Sequence, residues 1–242
     1  MRKGNYGKIT ALALDPIEKK PLKMFYPGSM ILSVGSYGCN LRCPWCQNYN
    51  ISVADGRNIP CIEMTPKQLA EKAAEHKDSI GLAYTYNEPL VGWDFVRDTG
   101  RLIHEKNLKN VLVTNGCFGN VIIDEILPYM DAMNIDLKGY REEIYKDIGG
   151  DLETVKHFIE RSSEKCHVEV TSLIVPGVND SIEDMDREAR WIAGVDENIP
   201  LHVSRFFPAY HMIDVPPTDR ELILQMAETA GKYLNSVFTG NM

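Results

Sequence analysis

Two hydrophobic rhythms alternate along the chain. Short runs dense in apolar and β-branched residues occupy positions 30–36, 80–85, 110–115, 132–137, 168–175 and 201–207. Their near-continuous apolar character predicts strands covered on both faces, as in a parallel sheet. Between them, apolar positions recur at intervals of three and four over 65–76, 90–106, 121–130, 152–163, 181–194 and 219–234. That spacing lines one face of a helix. Two helix starts are explicit in the sequence. Thr65-Pro66 sets a capping hydroxyl before a first-turn proline, and Ser181-Ile182-Glu183-Asp184 puts an acid three residues after a serine.

Six strands alternating with six helices predict an α/β fold with a parallel sheet and right-handed crossovers. Strand count alone fits either a barrel or a doubly wound sheet. We expect one domain over 1–242, with a lead-in at 1–29 and a core at 30–234. In both architectures ligands bind at the carboxyl ends of the strands, so the residues after each run carry the chemistry.

After the first run comes Tyr37-Gly38-Cys39-Asn40-Leu41-Arg42-Cys43-Pro44-Trp45-Cys46-Gln47-Asn48. Three thiolates on one loop suit three irons of a cubane, with the fourth iron free to bind a ligand. A structural zinc site wants a fourth protein ligand, and Cys61 is too isolated to complete the usual paired knuckle, although zinc stays open here. After the second run, Glu88 precedes Pro89. It suits an ammonium group of a ligand, or merely the start of a helix. Thr114-Asn115-Gly116 follows the third run and suits hydroxyls or a carboxylate, or is an ordinary turn. Asp136 and Lys138 end the fourth run two residues apart, on one face of the strand. They serve either a ligand or a salt bridge at the rim. His202 lies in the sixth run as a pocket residue or a satisfied core histidine.

Bulk properties narrow the classes. A net charge of −8 over 242 residues, with no basic run, argues against a nucleic-acid binder. The longest apolar stretches are strand-length, and residues 1–6 lack the apolar core of a signal peptide, so the expected location is the cytoplasm, without membrane association. Of the six cysteines, three fall within eight residues, which reads as a metal site rather than a disulfide framework. Cys61, Cys117 and Cys166 read as small hydrophobes.

The C-x3-C-x-aromatic-C pattern at 39–46, with Trp45 as the aromatic, resembles the signature of the radical S-adenosylmethionine (SAM) superfamily. Cys46-Gln47-Asn48, Thr114-Asn115-Gly116, Asp136-Leu137-Lys138 and Val175-Pro176-Gly177 resemble the branch typified by pyruvate formate-lyase activating enzyme. The segments 15–22, 27–29, 84–89 and 202–210 look like the AmmeMemoRadiSam group within it. The resemblance implies a partial (β/α)6 TIM-type barrel with a radical SAM core. It implies a [4Fe–4S] cluster on Cys39, Cys43 and Cys46 that reductively cleaves SAM to a 5′-deoxyadenosyl radical. It places Trp45, Asn48, Glu88, Thr114, Asn115, Asp136, Lys138 and His202 around SAM. It implies a glycyl radical enzyme as protein substrate and an electron donor such as flavodoxin or ferredoxin. The alternatives are a radical SAM enzyme acting on another protein, peptide or small molecule, and a non-catalytic Fe–S or zinc-binding protein. Two departures stand out. Tyr86-Asn87 occupies the place of two glycines in the activating enzymes' Gly-Gly-Glu motif, and Val113 the place of an aspartate. Relatives in the closer group are expected to carry further cysteine-bearing segments before and after the region present here.

Overall fold

The computed structural model describes residues 4–57 and 59–242. Among the described residues, ten strands and eight α-helices follow one another as β1 (Lys8–Ile9), β2 (Ala11–Pro16), β3 (Met30–Gly35), α1 (Tyr49–Ser52), β4 (Ile62–Glu63), α2 (Pro66–Glu75), β5 (Ser79–Tyr84), α3 (Trp93–His104), β6 (Lys109–Thr114), α4 (Asn120–Ile126), β7 (Ala132–Asp136), α5 (Glu142–Ile148), α6 (Leu152–Ser163), β8 (His167–Ile174), α7 (Ile182–Asp196), β9 (Leu201–Arg205), α8 (Arg220–Ala230) and β10 (Val237–Gly240). All six expected strands are present as β3 and β5 to β9. They lie side by side in chain order and all pair in parallel. β2 adds antiparallel to β3, and β10 adds parallel to β9, giving an eight-stranded mixed sheet. The sheet curls until Lys20, beyond β2, and Asn241, beyond β10, line one cavity. This is an α/β fold with a six-strand parallel centre.

The helices form where the periodicity put them, and their ends follow from local chemistry. The Thr65 hydroxyl accepts from Gln68 N while Gln68 Oε1 accepts from Thr65 N, a reciprocal cap of α2. Asp151 caps α6 and Ser181 caps α7, each by accepting a backbone N–H. Such caps contribute about 1 kcal/mol each. Pro89 opens a short 3-10 turn, Pro89–Gly92, so the helix expected from 90 starts at Trp93. Pro128 likewise ends α4 early and leaves a 3-10 turn. The apolar faces meet the sheet through Leu69 and Ala73, Phe95 and Ile103, Val155 and Phe158, Met185 and Ile192, and Ile223 and Met226, all buried. A fully buried large apolar side chain contributes roughly 1.5–3 kcal/mol.

Inside the curl, the lead-in forms a plug. Ile17 and Leu22 are fully buried against Ile31, Ala83, Val111 and Ala132. The backbone N–H groups of Lys23 and Met24 donate to Glu169 Oε2 and Oε1 at 3.0 and 2.8 Å, and Asn134 Nδ2 donates to the Pro21 carbonyl. Glu169, the third residue of β8, also meets His167 Nε2 at 2.9 Å and His202 Nε2 at 2.6 Å. Burial alone would raise this carboxyl. The two histidines and the two backbone donors outweigh it and hold Glu169 at about 2. A carboxyl depressed in the folded state lends stability that is complete above its unfolded value and fades as pH falls toward the folded one. The thermal midpoint should therefore drop between about pH 4.5 and pH 2, and Glu169→Gln should flatten that part of the profile. A Glu169→Gln profile parallel to the parent's would show that other carboxyls dominate.

Among the described residues, no helix is long and apolar enough to cross a membrane.

Candidate functional site

The loop that leaves β3 turns back into the protein because two of its apolar residues are anchored. Leu41 and Trp45 are buried in the main core. Gly38, at φ +92°, takes a left-handed backbone that a side chain would strain, and its N–H donates to the Ile51 carbonyl. Arg42 N donates to Ile148 O, at the end of α5, and His211 N donates to Pro44 O. The Tyr210 ring stacks on Tyr49 with centroids 4.7 Å apart. The segment after β9 thus latches the cysteine loop from outside.

These constraints set Cys39, Cys43 and Cys46 on the wall of a cavity of about 360 Å³ at the carboxyl ends of the strands. Trp45, Asn48, Glu88, Thr114, Asn115, Asp136 and Lys138 line the same cavity. All but one of the residues named from the sequence are therefore gathered together. The exception is His202. It is the second residue of β9, at the opposite end of the strand, buried against Glu169 and Phe238 and absent from the cavity lining. Residue type and strand could be read from the sequence, but depth along the strand could not.

Glu88 is 3% exposed and accepts three hydrogen bonds. Its Oε1 accepts from Leu90 N at 2.9 Å and Thr114 Oγ1 at 2.8 Å, and its Oε2 from Asn115 N at 2.8 Å. Burial pushes the carboxyl up to about 7, against the pull of the Asn115 and Leu90 N–H groups and the Thr114 hydroxyl. A carboxyl held there gives up its proton readily when a cation arrives beside it. Asn115 then ties the turn to the cysteine loop: its Nδ2 donates to Asn40 Oδ1 at 2.8 Å, and Asn40 Nδ2 donates to Cys117 O at 2.9 Å.

On the facing side, Lys138 Nζ meets Asp136 Oδ2 at 2.6 Å. The two side chains are 17% and 31% exposed, so the pair belongs to the cavity wall rather than to an open rim. Burial opposes the charge on Lys138, but Asp136, Cys43 and Cys39 outweigh it and keep the ammonium firmly protonated.

The donor set fits an iron–sulfur cluster. All six cysteines are free thiols. Burial, with the Glu88 charge adding to it, pushes the Cys39 thiol up to about 12, and burial raises Cys43 as well. Such thiols ionise when a cation takes the proton's place. Among the described residues, no three His, Cys, Asp or Glu side chains gather round one point closely enough to hold a single ion. A tetrahedral zinc, about 2.3 Å from each sulfur, needs that convergence. A cubane takes one thiolate per iron and suits ligands spread along a wall.

Sequence reasoning passed over Lys19, Lys20, Tyr86, Thr171 and Ser204 as cavity residues. Only Tyr86 had left a signal, as a bulky residue in the place of a glycine.

A model of the radical SAM superfamily matches residues 33–191. An uncharacterized protein of Methanocaldococcus jannaschii is 41% identical over 98% of this chain and 71% of its own length. A pyruvate formate-lyase-activating enzyme of Clostridium pasteurianum is 26% identical over 76% of this chain and 83% of its own length. Among solved structures, Streptococcus suis SuiB bound to S-adenosylmethionine aligns with a TM-score of 0.67 and 13% identity, covering 88% of this chain and 52% of that one. At that identity the likeness is one of fold.

Proposed function

Because the chain belongs to the radical SAM superfamily, in the branch of the pyruvate formate-lyase-activating enzymes, whose members use a [4Fe–4S] cluster and SAM, we propose that Cys39, Cys43 and Cys46 hold the cluster and that the adjoining cavity takes SAM. Bound together, these supply one-electron reductive cleavage of SAM and the abstraction of a hydrogen atom from a second substrate. The observation that carries the reading is the convergence of three thiols, a buried carboxyl and the half-buried Lys138 ammonium on one cavity.

The protein's part is to bind and orient. Glu88 presents a carboxylate to the ammonium of an amino-acid moiety while it holds Thr114 and Asn115 in register. Lys138, kept charged by Asp136, faces Cys43 and Cys39 and offsets the negative charge of their thiolates. Trp45 and Leu41 close the cavity from the core side and exclude water. Asn48 fixes the end of the cysteine loop by donating to the Tyr86 carbonyl at 2.7 Å.

As second substrate we favour a glycyl radical enzyme, with a small electron-transfer protein such as flavodoxin or ferredoxin as reductant, because the Clostridium pasteurianum relative is an activating enzyme. The reading in which another protein, peptide or small molecule is modified draws on one observation. The lead-in brings Lys19, Lys20 and Pro21 into the cavity wall and narrows its flank. Anaerobic protein carrying its cluster, reduced with dithionite, should convert SAM to 5′-deoxyadenosine and methionine. Intact SAM under those conditions would overturn the central reading. Added pyruvate formate-lyase should then acquire a glycyl radical detectable by electron paramagnetic resonance; cleavage of SAM without that signal would transfer the assignment to the other substrates.

A further inference from the structure

Tyr86 sits between the cysteine loop and Glu88 in a backbone conformation that tyrosine avoids. Its φ is +74°, in the left-handed region that glycine enters freely and a Cβ does not. Room for its ring exists because residue 35 is glycine. A Cβ there would lie 2.7 Å from the ring's Cδ2. A residue held in such a conformation needs surroundings that over-determine it, and here they come from the lead-in. The Tyr86 hydroxyl donates to Asp15 Oδ2 at 2.8 Å. Lys20 Nζ donates to the same oxygen at 2.9 Å and sits 4.8 Å from the centroid of the Tyr86 ring. Lys19 closes the set on Asp15 Oδ1 at 3.2 Å. Lys20 is 2% exposed, although it is a residue type almost never buried without a partner. Its ammonium is drawn there by Asp15 and by the face of the ring.

The shape of residue 86 reaches the site along the backbone. The Tyr86 carbonyl is the acceptor for Asn48. Asn87 accepts from Ser36 N through Oδ1 and donates through Nδ2 to Gly38 O, gripping both sides of the turn into the cysteine loop. Glu88 follows directly, its N–H donating to Gly38 O.

We propose that Asp15 and Lys20 are positioning residues: they clamp Tyr86 in its left-handed conformation and so set Glu88 and Asn48 for SAM. The clamp replaces, by side-chain bracing, a conformation that a glycine would adopt unaided. The proposal rests on SAM binding in this cavity, as argued above, and it concerns affinity and local order rather than the identity of the second substrate.

A thermodynamic cycle between residues 20 and 86 tests it in cluster-loaded protein. Lys20→Met leaves Asp15 its bonds to Lys19 and Tyr86, so the fold should survive. It should weaken the SAM dissociation constant, measured by equilibrium dialysis, about tenfold with the iron content unchanged. In a Tyr86→Gly background the same substitution should cost less than about threefold, because glycine needs no brace. Tyr86→Phe, which removes only the hydroxyl's bond to Asp15, should fall between the parent and Lys20→Met. The cluster-free protein gives a second measurement: Lys20→Met should lower the thermal midpoint more in the Tyr86 parent than in the Tyr86→Gly background. Equal losses in both backgrounds, or no loss of SAM affinity in the parent background, would overturn the clamp. Failure of the parent itself to bind SAM would instead remove the proposed function on which the clamp rests.

Discussion

Cys43→Ala should give a folded protein with almost no cluster, where the parent, purified without oxygen, carries about four irons and four sulfides per chain. The loop position explains why the loss should be complete. Cys43 lies between Leu41 and Trp45, both buried, so the backbone carrying it is anchored on both sides. Among the described residues the other three cysteines, Cys61, Cys117 and Cys166, lie outside the cavity lining. Removing one thiol from a partly buried position costs packing of the order of one methyl-sized group, about 1 kcal/mol, far less than a domain's stability. Cys166→Ala is the matched control. Its Sγ faces the Ser162 carbonyl at 3.5 Å, and burial pushes its thiol up to about 12, as for an inert core residue. That variant should keep its full iron. The assignment fails if Cys43→Ala retains the parent's iron and sulfide, or if the parent itself holds zinc and no labile sulfide.

The second large effect is expected at the Lys138 and Asp136 pair. Lys138→Met removes the cation that faces Cys43 and Cys39 and leaves Asp136, a bare carboxylate, beside them. Asp136→Asn leaves a half-buried ammonium with a neutral partner in place of a charged one. An uncompensated charge in such a wall is costly, and the cost falls on whatever charged ligand must share the cavity. Both variants should keep the cluster and the fold while SAM cleavage slows more than tenfold, a barrier change of at least about 1.4 kcal/mol. The measurement is the rate of 5′-deoxyadenosine release at saturating dithionite, normalised to iron. Near-parental rates in both variants would reduce the pair to a structural salt bridge.

The sequence displays the parts of this protein that depend on period and local composition. The six central strands and the helices over them are set by burial on both strand faces and on one helix face, and both leave a rhythm in the chain. The elements it did not display have other causes. β2 joins the β3 edge, with Leu14 exposed and Asp15 buried, so its alternation is inverted by an ion pair that only the folded lead-in supplies. β10 has four half-buried residues and holds its place by pairing with β9. α5 spans seven residues, too few for two full turns of periodicity, and closes on Gly149 at φ +80°. The cavity residues were legible where they end a strand or lie shortly after one, as with Glu88, Thr114, Asn115, Asp136 and Lys138. His202 was legible as a buried histidine but not as a partner of Glu169, which is itself a charge within an apolar strand and could have been flagged on that ground. Lys20 was hidden because its burial depends on how the lead-in folds around Asp15 and on the ring of Tyr86, which is remote in sequence.

The latch from the segment after β9 onto the cysteine loop has a consequence for biosynthesis. Cys39, Cys43 and Cys46 leave the ribosome well before Tyr210 and His211, which secure that loop through Tyr49 and Pro44. At about 5–20 residues per second the interval is on the order of ten seconds or more. Throughout it the three thiols sit on a nascent loop without its outer support, and the strand ends that complete the cavity wall are still being made. Cluster delivery that waits for the released, folded chain would meet a preformed site, whereas earlier delivery would meet three thiols on a flexible tether.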